Sequence, residues 1–296
     1  MAHMRSSHSQ ALMYVGFVFL FSSVFYLLVL RAHTLGGAGG IYVTGIMWCP
    51  ALAAFTTLWL NGRKASELGW KWPARQYALM SWYIPLVYAA IAYAMVWIGR
   101  LGGFPNREFM QGLVGRMGLH ISPLASTVVY VLLIGSYGLI GSMGRALGEE
   151  IGWRGFLVPQ LAKSFSFTTT ALLSGIVWAC WHYPILIWGD YNNGAPAWYG
   201  LTCFTVMVVA IAVVFAWLRL KSGSLWTGAI LHASHNLYVQ AIFTPLTANR
   251  GKTAWFIDEF GAVLPLVTVA FAIYFWSRRG EVEGAQTVAE PASMTA

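Results

Sequence analysis

The chain has 296 residues, of which 58% are hydrophobic and only 9% charged, with a net charge of +8. A water-soluble domain carries about a quarter charged residues, so this composition excludes one and implies a chain that crosses a bilayer many times. The positive excess lies between apolar runs, where it reads as a topology signal and not as a nucleic-acid surface.

Eight apolar stretches of roughly 20 residues, the length a bilayer requires, follow one another. They run over about 11–30, 41–60, 77–99, 125–148, 168–188, 198–218, 224–243 and 259–276. The expected fold class is all-α, a polytopic membrane protein of about eight transmembrane helices. The first apolar core is too long for a cleaved signal peptide and reads as a retained helix. Residues 1–10 form a short cytoplasmic segment opening with "MAHM", which reads as a cloning remnant. Residues 11–279 make the membrane domain. Residues 280–296, "GEVEGAQTVAEPASMTA", offer no apolar face and are expected to be disordered. No internal repeat is visible. Fifteen Trp and fourteen Tyr suit interfacial belts. Cys49, Cys180 and Cys203 sit in apolar context without a CxxC pair and read as small core residues.

With the N-terminus in the cytoplasm, twelve Lys and Arg fall in cytoplasmic segments. Six fall outside: Arg31, Arg100, Arg107, Arg116, Arg250 and Lys252. That bias puts both termini inside a multi-pass cell membrane. The Ala-, Gly- and Trp-rich composition with short loops looks bacterial.

Most acidic residues fall in loops, at span ends or in the tail, Asp258 and Glu259 among them. Glu149 and Glu150 alone prolong an apolar run directly, at the cytoplasmic end of the fourth stretch. Three histidines lie within stretches: His182 in "VWACWHYPI", and His232 and His235 in "ILHASHNLY". Ionisable groups at membrane depth are costly and point to function. Glu150 and Arg154, four apart with the acid first, suit a local ion pair. Glu149 points about 100° away and is freer to face another helix, although Arg145, four residues earlier, competes for it. His232 and Asn236 share a face, and His235 stays a candidate beside them. Trp178, one turn before His182, can wall its ring. A carboxylate beside an imidazole can hold and deprotonate a water, while a second imidazole and an amide can donate to a developing oxyanion. Those are the parts of a peptide hydrolase.

The motifs are EExxxR ("EEIGWR"), aromatic-xxx-His ("WACWH") and HxxxN ("HASHN"). In this order they resemble the CAAX protease and bacteriocin-processing family, CPBP or Abi, of glutamate-dependent intramembrane proteases. The likeness covers a catalytic core of about 145–238. One departure is Trp178, where the family usually has Phe. The resemblance implies a conical catalytic cavity facing the cytoplasm, with Glu149 as catalytic glutamate and His182 as its partner in holding water. It implies His232 and Asn236 on the oxyanion side and Glu150 and Arg154 in support; His235 is not a motif position. The expected partners are a membrane-bound peptide or protein substrate and the lipid bilayer, without nucleic acid.

Two histidines and a glutamate form a zinc set in other folds, so zinc held by Glu149, His182 and His232 is the alternative. The HExxH spacing is absent, and metal-free activation of water, with no cofactor, is the expectation. The same residues also suit an ion- or proton-coupled transporter, or a silent relative serving as an immunity or scaffold protein. One tension remains. His182 falls about 21 Å into its span, whereas Glu149 falls at the end of its own. The two meet only if the fourth span runs deeper or residues 155–167 dip into the membrane.

Overall fold

The computed structural model describes residues 6–33, 35, 38–116, 121–189, 191 and 194–287. His3, His120, Asp190, residues 1–5 of the N-terminal segment and residues 288–296 of the tail lie outside the described residues. Ser6 accepts a hydrogen bond from the Ser9 N–H and starts α1 (Ser7–Ala32). α2 (Ala38–Leu60) returns along it, and α3 (Arg75–Ile98) crosses next. A short helix, α4 (Arg107–Arg116), lies in the following connection. Ser122, accepting from the Ala125 N–H, starts α5 (residues 123–162). Ser166 does the same at the Thr169 N–H for α6 (Phe167–Trp188). α7 (Ala197–Ser222) ends at Gly223, whose φ of 69° only glycine adopts without strain. α8 (residues 226–246), α9 (Val263–Ser277) and α10 (Gly280–Thr287) complete the chain.

Six of these helices, α1, α2, α3, α5, α6 and α7, are long and apolar enough to cross a membrane. α8 and the 15-residue α9 occupy the last two of the eight expected stretches. Among the described residues no strand occurs, only an isolated bridge between Gly103 and Ala248. The protein is an all-α polytopic membrane protein. α7 is the most deeply enclosed crossing, with an unbroken buried run from Ala210 to Arg219. Trp217 on α7 and Trp153, Trp181, Tyr14 and Tyr88 on other helices are fully buried, whereas Leu12, Leu20, Leu27, Ile98, Leu132 and Ile140 face outward. Large apolar side chains turned outward on every side suit lipid and not water.

The crossings alternate in direction, so the connections sort to two ends. Residues 61–74, 163–166 and 223–225 share one end with Ser6 and Ser277. There the Leu225 N–H donates to Gly69 O, and Trp226 Nε1 to Trp70 O. The opposite end holds Leu35, residues 99–116 and 121–122, Gly189, Tyr191 and residues 194–196 and 247–262. There Asn106 N donates to Leu246 O, and Thr253 Oγ1 to Leu101 O.

Two expectations need correction. The fourth span does not stop near residue 148. It continues to Ala162, through a π-wound segment over Ile151–Leu157, so Leu124–Ala162 is one helix of 39 residues. The chain after Gly280 is not structureless from its start. Gly280–Thr287 is a helix with Val282 buried. Glu281 pairs with Lys221 at 3.3 Å and Arg278 at 2.6 Å, and Glu283 Oε1 accepts from the Phe167 N–H. A single valine and these anchors suffice to dock it without an apolar face.

Candidate active site

A cavity of about 250 Å³ lies inside the helix bundle. Glu149 from α5, Trp178 and His182 from α6, and His232 and Asn236 from α8 all line it. The three motif segments thus reach one chamber. Glu150 and Arg154 do not line it but sit directly behind.

The extension of α5 removes the mismatch in depth. Glu149 stands 13 residues before Ala162, ~20 Å from that end of α5, and His182 stands 15 residues after Phe167, ~22 Å along α6. Both side chains therefore sit at matching depth, ~20 Å from the Ala162–Phe167 end, and residues 155–162 are helix and not a dipping loop.

Glu149 is 2% exposed, and one of its oxygens is fixed by two indoles. Trp178 Nε1 donates to Oε2 at 2.8 Å, and Trp153 Nε1 at 3.3 Å. Oε1 has no protein partner among the described residues. Trp178 thus does more than wall the His182 ring, which it meets edge-on at 6.0 Å between centroids. It aims the carboxylate. His182 Nδ1 donates to Trp178 O at 2.9 Å. A carbonyl only accepts, so the proton is on Nδ1, and Nε2 presents a lone pair.

Behind the chamber, Arg154 Nη1 donates to Glu150 Oε1 at 2.8 Å, as the i, i+4 spacing predicted. The Arg154 guanidinium lies between two aromatic faces, 4.1 Å from the Trp178 ring centre and 3.7 Å from that of Phe215. His232 Nδ1 meets the same Glu150 oxygen at 2.9 Å. Gly228 allows this closeness: a Cβ there would stand 2.6 Å from Glu150 Oε2 and 3.1 Å from Arg154 Cγ. Glu150 is therefore neutralised locally while it tethers the cavity histidine. Asn236 lines the cavity with its side-chain amide unpartnered among the described residues.

Sequence reasoning missed a second polar group on the cavity wall. His235 Nε2 donates to Glu259 Oε1 at 2.8 Å and its Nδ1 accepts from Tyr88 Oη at 2.6 Å. Tyr191 Oη donates to Glu259 Oε2 at 3.0 Å, and Gln240 Nε2 donates to Tyr191 Oη at 3.0 Å. His235, Glu259, Tyr191 and Gln240 all line the cavity. The sequence places Glu259 at the edge of the last span. Instead the segment before α9 dips into the bundle, and the Asp258 N–H donates to Tyr93 Oη at 3.2 Å. The only signal in the sequence was His235 itself, an in-span histidine left without a role.

Among the described residues no three His, Cys, Asp or Glu side chains are gathered so as to hold a metal ion. The zinc set Glu149, His182 and His232 shares a chamber without converging on one point. Cys49 and Cys203 are buried, Cys180 is half-buried, and all three are free.

The cavity lies toward one end of the bundle. Leu35 and Tyr191 line it from the α1–α2 and α6–α7 connections, and α2 contributes Val43, Ile46 and Met47 from its first half. Among the described residues nothing from the connections beside the termini lines it. Its lining therefore comes from the half of the bundle away from Ser6 and Ser277. The charge count also loosens. Arg154 and Arg219 are buried and Arg145 belongs to the cavity, so the twelve inner charges fall to nine against six.

A model of the family described as type II CAAX prenyl endopeptidase, Rce1-like, matches residues 132–238. The CAAX prenyl protease 2 of Methanococcus maripaludis is 31% identical over 97 residues, which are 30% of this chain and 34% of that protein. The match thus spans about a third of the relative's length. On residues 132–238, which supply most of this chamber's lining, the resemblance to the CAAX protease and bacteriocin-processing family read from the three motifs is borne out.

Proposed function

We propose that the protein is an intramembrane endopeptidase that hydrolyses peptide bonds of membrane-associated substrates with a water activated by Glu149 and His182. The observation that carries this reading is the gathering of Glu149, His182, His232 and Asn236 on one cavity. The His182 Nε2 lone pair accepts a hydrogen bond from a water, and the free Oε1 of Glu149 takes its proton. The hydroxide attacks the peptide carbonyl carbon, and the carbonyl oxygen becomes an oxyanion. Asn236 and His232 donate to it. His232 donates from Nε2 only when the ring carries both protons, a form that the Glu150 carboxylate at Nδ1 stabilises. Collapse breaks the C–N bond, and Glu149 passes its proton to the leaving amine.

Trp178 positions Glu149, and Arg154 with Glu150 positions His232. The mechanism needs no metal, so cleavage survives a chelator such as phenanthroline. Loss of cleavage on chelation, restored by zinc, would replace it with the metalloprotease alternative. The relative's printed name makes a prenylated peptide one candidate substrate. The apolar cavity wall of Ile185, Phe204, Met207, Val208 and Ile211 suits any membrane-associated segment. The test is comparative mass spectrometry of membrane-protein fragments from cells that express wild type or Glu149→Gln. Fragments present with wild type and absent with the variant support the reading. Identical fragment patterns, together with an altered decay of a proton gradient, would favour a transporter.

A further inference from the structure

We infer that Glu259, held by His235 and Tyr191 on the cavity wall, forms a second subsite for a positively charged group of the substrate, within a few residues of the scissile bond. This rests on the endopeptidase reading for the word scissile, but not for the binding itself.

The cavity region contains two His–Glu pairs, and they differ in one respect. Glu150 Oε1 bonds His232 at 2.9 Å and Arg154 at 2.8 Å, so its charge is balanced by a permanent cation, and it lies behind the wall. Glu259 bonds His235 at 2.8 Å and Tyr191 at 3.0 Å, with no Lys or Arg paired to it among the described residues, and it lies on the wall. Tyr88 Oη donates to Nδ1 of His235, so the ring meets every hydrogen bond in its neutral form. In that form the ionised Glu259 carboxylate gives the group one net negative charge facing the chamber. Arg145, which also lines the cavity, stands one turn from Glu149 on α5 and pairs with neither carboxylate.

An anion fixed by hydrogen bonds in a low-dielectric chamber recruits a counter-charge from whatever enters. Both Glu259 oxygens keep further acceptor capacity beyond the two bonds they make. A lysine or arginine side chain, or a free amino terminus, supplies the donors and the charge. The spacing follows from α8. Residues three apart on a helix have Cβ atoms roughly 5–6 Å apart, which separates His235 from the proposed oxyanion donor His232. Glu259 lies one further hydrogen bond, 2.8 Å, beyond the His235 ring. With the length of the His235 ring between its Cβ and that bond, the separation amounts to a few residues of an extended peptide at roughly 3.3 Å each.

The experiment measures binding to protein that does not cleave. Short fluorescent apolar peptides carry one lysine moved through the central positions, with norleucine as the uncharged control. Their binding to Glu149→Gln protein in lipid nanodiscs is followed by fluorescence anisotropy. Lysine at one or two neighbouring positions is expected to bind about tenfold more tightly than norleucine. The added change Glu259→Gln is expected to erase that difference and leave norleucine binding in place. Equal binding of lysine and norleucine peptides at every position overturns the proposal, as does a lysine preference that survives Glu259→Gln. Acetyl-lysine peptides on the single variant repeat the test should the double variant fail to fold; undiminished binding of these also overturns it. The endopeptidase reading fails separately, when wild type cleaves no membrane protein while the lysine preference persists.

Discussion

Arg154 shows how one side chain serves both stability and chemistry. It is 1% exposed, pairs with Glu150 and stacks between Trp178 and Phe215. Trp178 in turn aims Glu149, and Glu150 tethers His232. Arg154→Met leaves Glu150 buried without its permanent cation, which costs about 3–5 kcal/mol. Thermal unfolding in detergent is expected to show a large loss, and Arg154→Lys to recover only part of it, because a point charge neither stacks nor forks. Unchanged unfolding of Arg154→Met would refute this account of the pair. Asn236→Ala removes a candidate oxyanion donor that holds no structural bond among the described residues. It is expected to lower kcat by about 10²–10³-fold with little change in unfolding temperature, read from initial rates and a melting curve on the same sample. A variant that melts early and turns over normally would give Asn236 a structural role instead.

At the scale of elements, two π-wound segments flank the chemistry. Ile151–Leu157 follows Glu150 directly, and Asn236–Phe243 begins at Asn236. Such windings gather at functional positions because they re-aim side chains within an otherwise regular helix. Close approach of α5 to its neighbours depends on small residues. A Cβ at Gly148 would stand 2.8 Å from Met47 O, and one at Gly152 would overlap Tyr14 and Pro50, while at Gly144 nothing lies within 4 Å. Gly152→Leu is therefore expected to destabilise by about 1–3 kcal/mol or more. Gly144→Ala is expected to be neutral, or stabilising by about 0.5–1 kcal/mol. Melting temperatures of the two variants check the contrast, and the reverse order would mean that α5 packs by another face.

Much of this level was legible in the sequence. The eight apolar stretches fall on α1, α2, α3, α5, α6, α7, α8 and α9, with only α5 running far past its expected end, because hydropathy over 20 residues is a strong, local signal. The continuation of α5 beyond Glu150 was not legible. Gly152, Arg154 and Gly155 look like the end of a span, and only burial against Tyr14, Pro50 and Phe215 keeps them helical. The inward dip that brings Glu259 to His235 depends on tertiary contacts with Tyr88, Tyr93 and Tyr191, which no local pattern announces.

For the whole molecule, the end at which the cavity opens decides where substrate comes from. Cysteines introduced at Lys64 and at Asn249, in a background with the three native cysteines replaced, are expected to react with a membrane-impermeant thiol reagent from opposite sides. A cysteine at Leu35 is expected to share the side of Asn249. Labelling of Lys64 and Leu35 positions from one side would contradict the placement of the chamber.

The shortness of α9 has its own consequence. Its 15 residues rise ~22 Å, against a hydrocarbon thickness of about 30 Å. Lipids beside this flank must compress, or the helix must sink its ends, at a cost that grows with each ångström of mismatch. The annulus is therefore expected to be thinner beside α9, where Ala272, Ile273 and Trp276 meet Thr168 and Leu172 in a shallow apolar groove. Short-chain phospholipids should collect there and stabilise the fold more than long-chain ones.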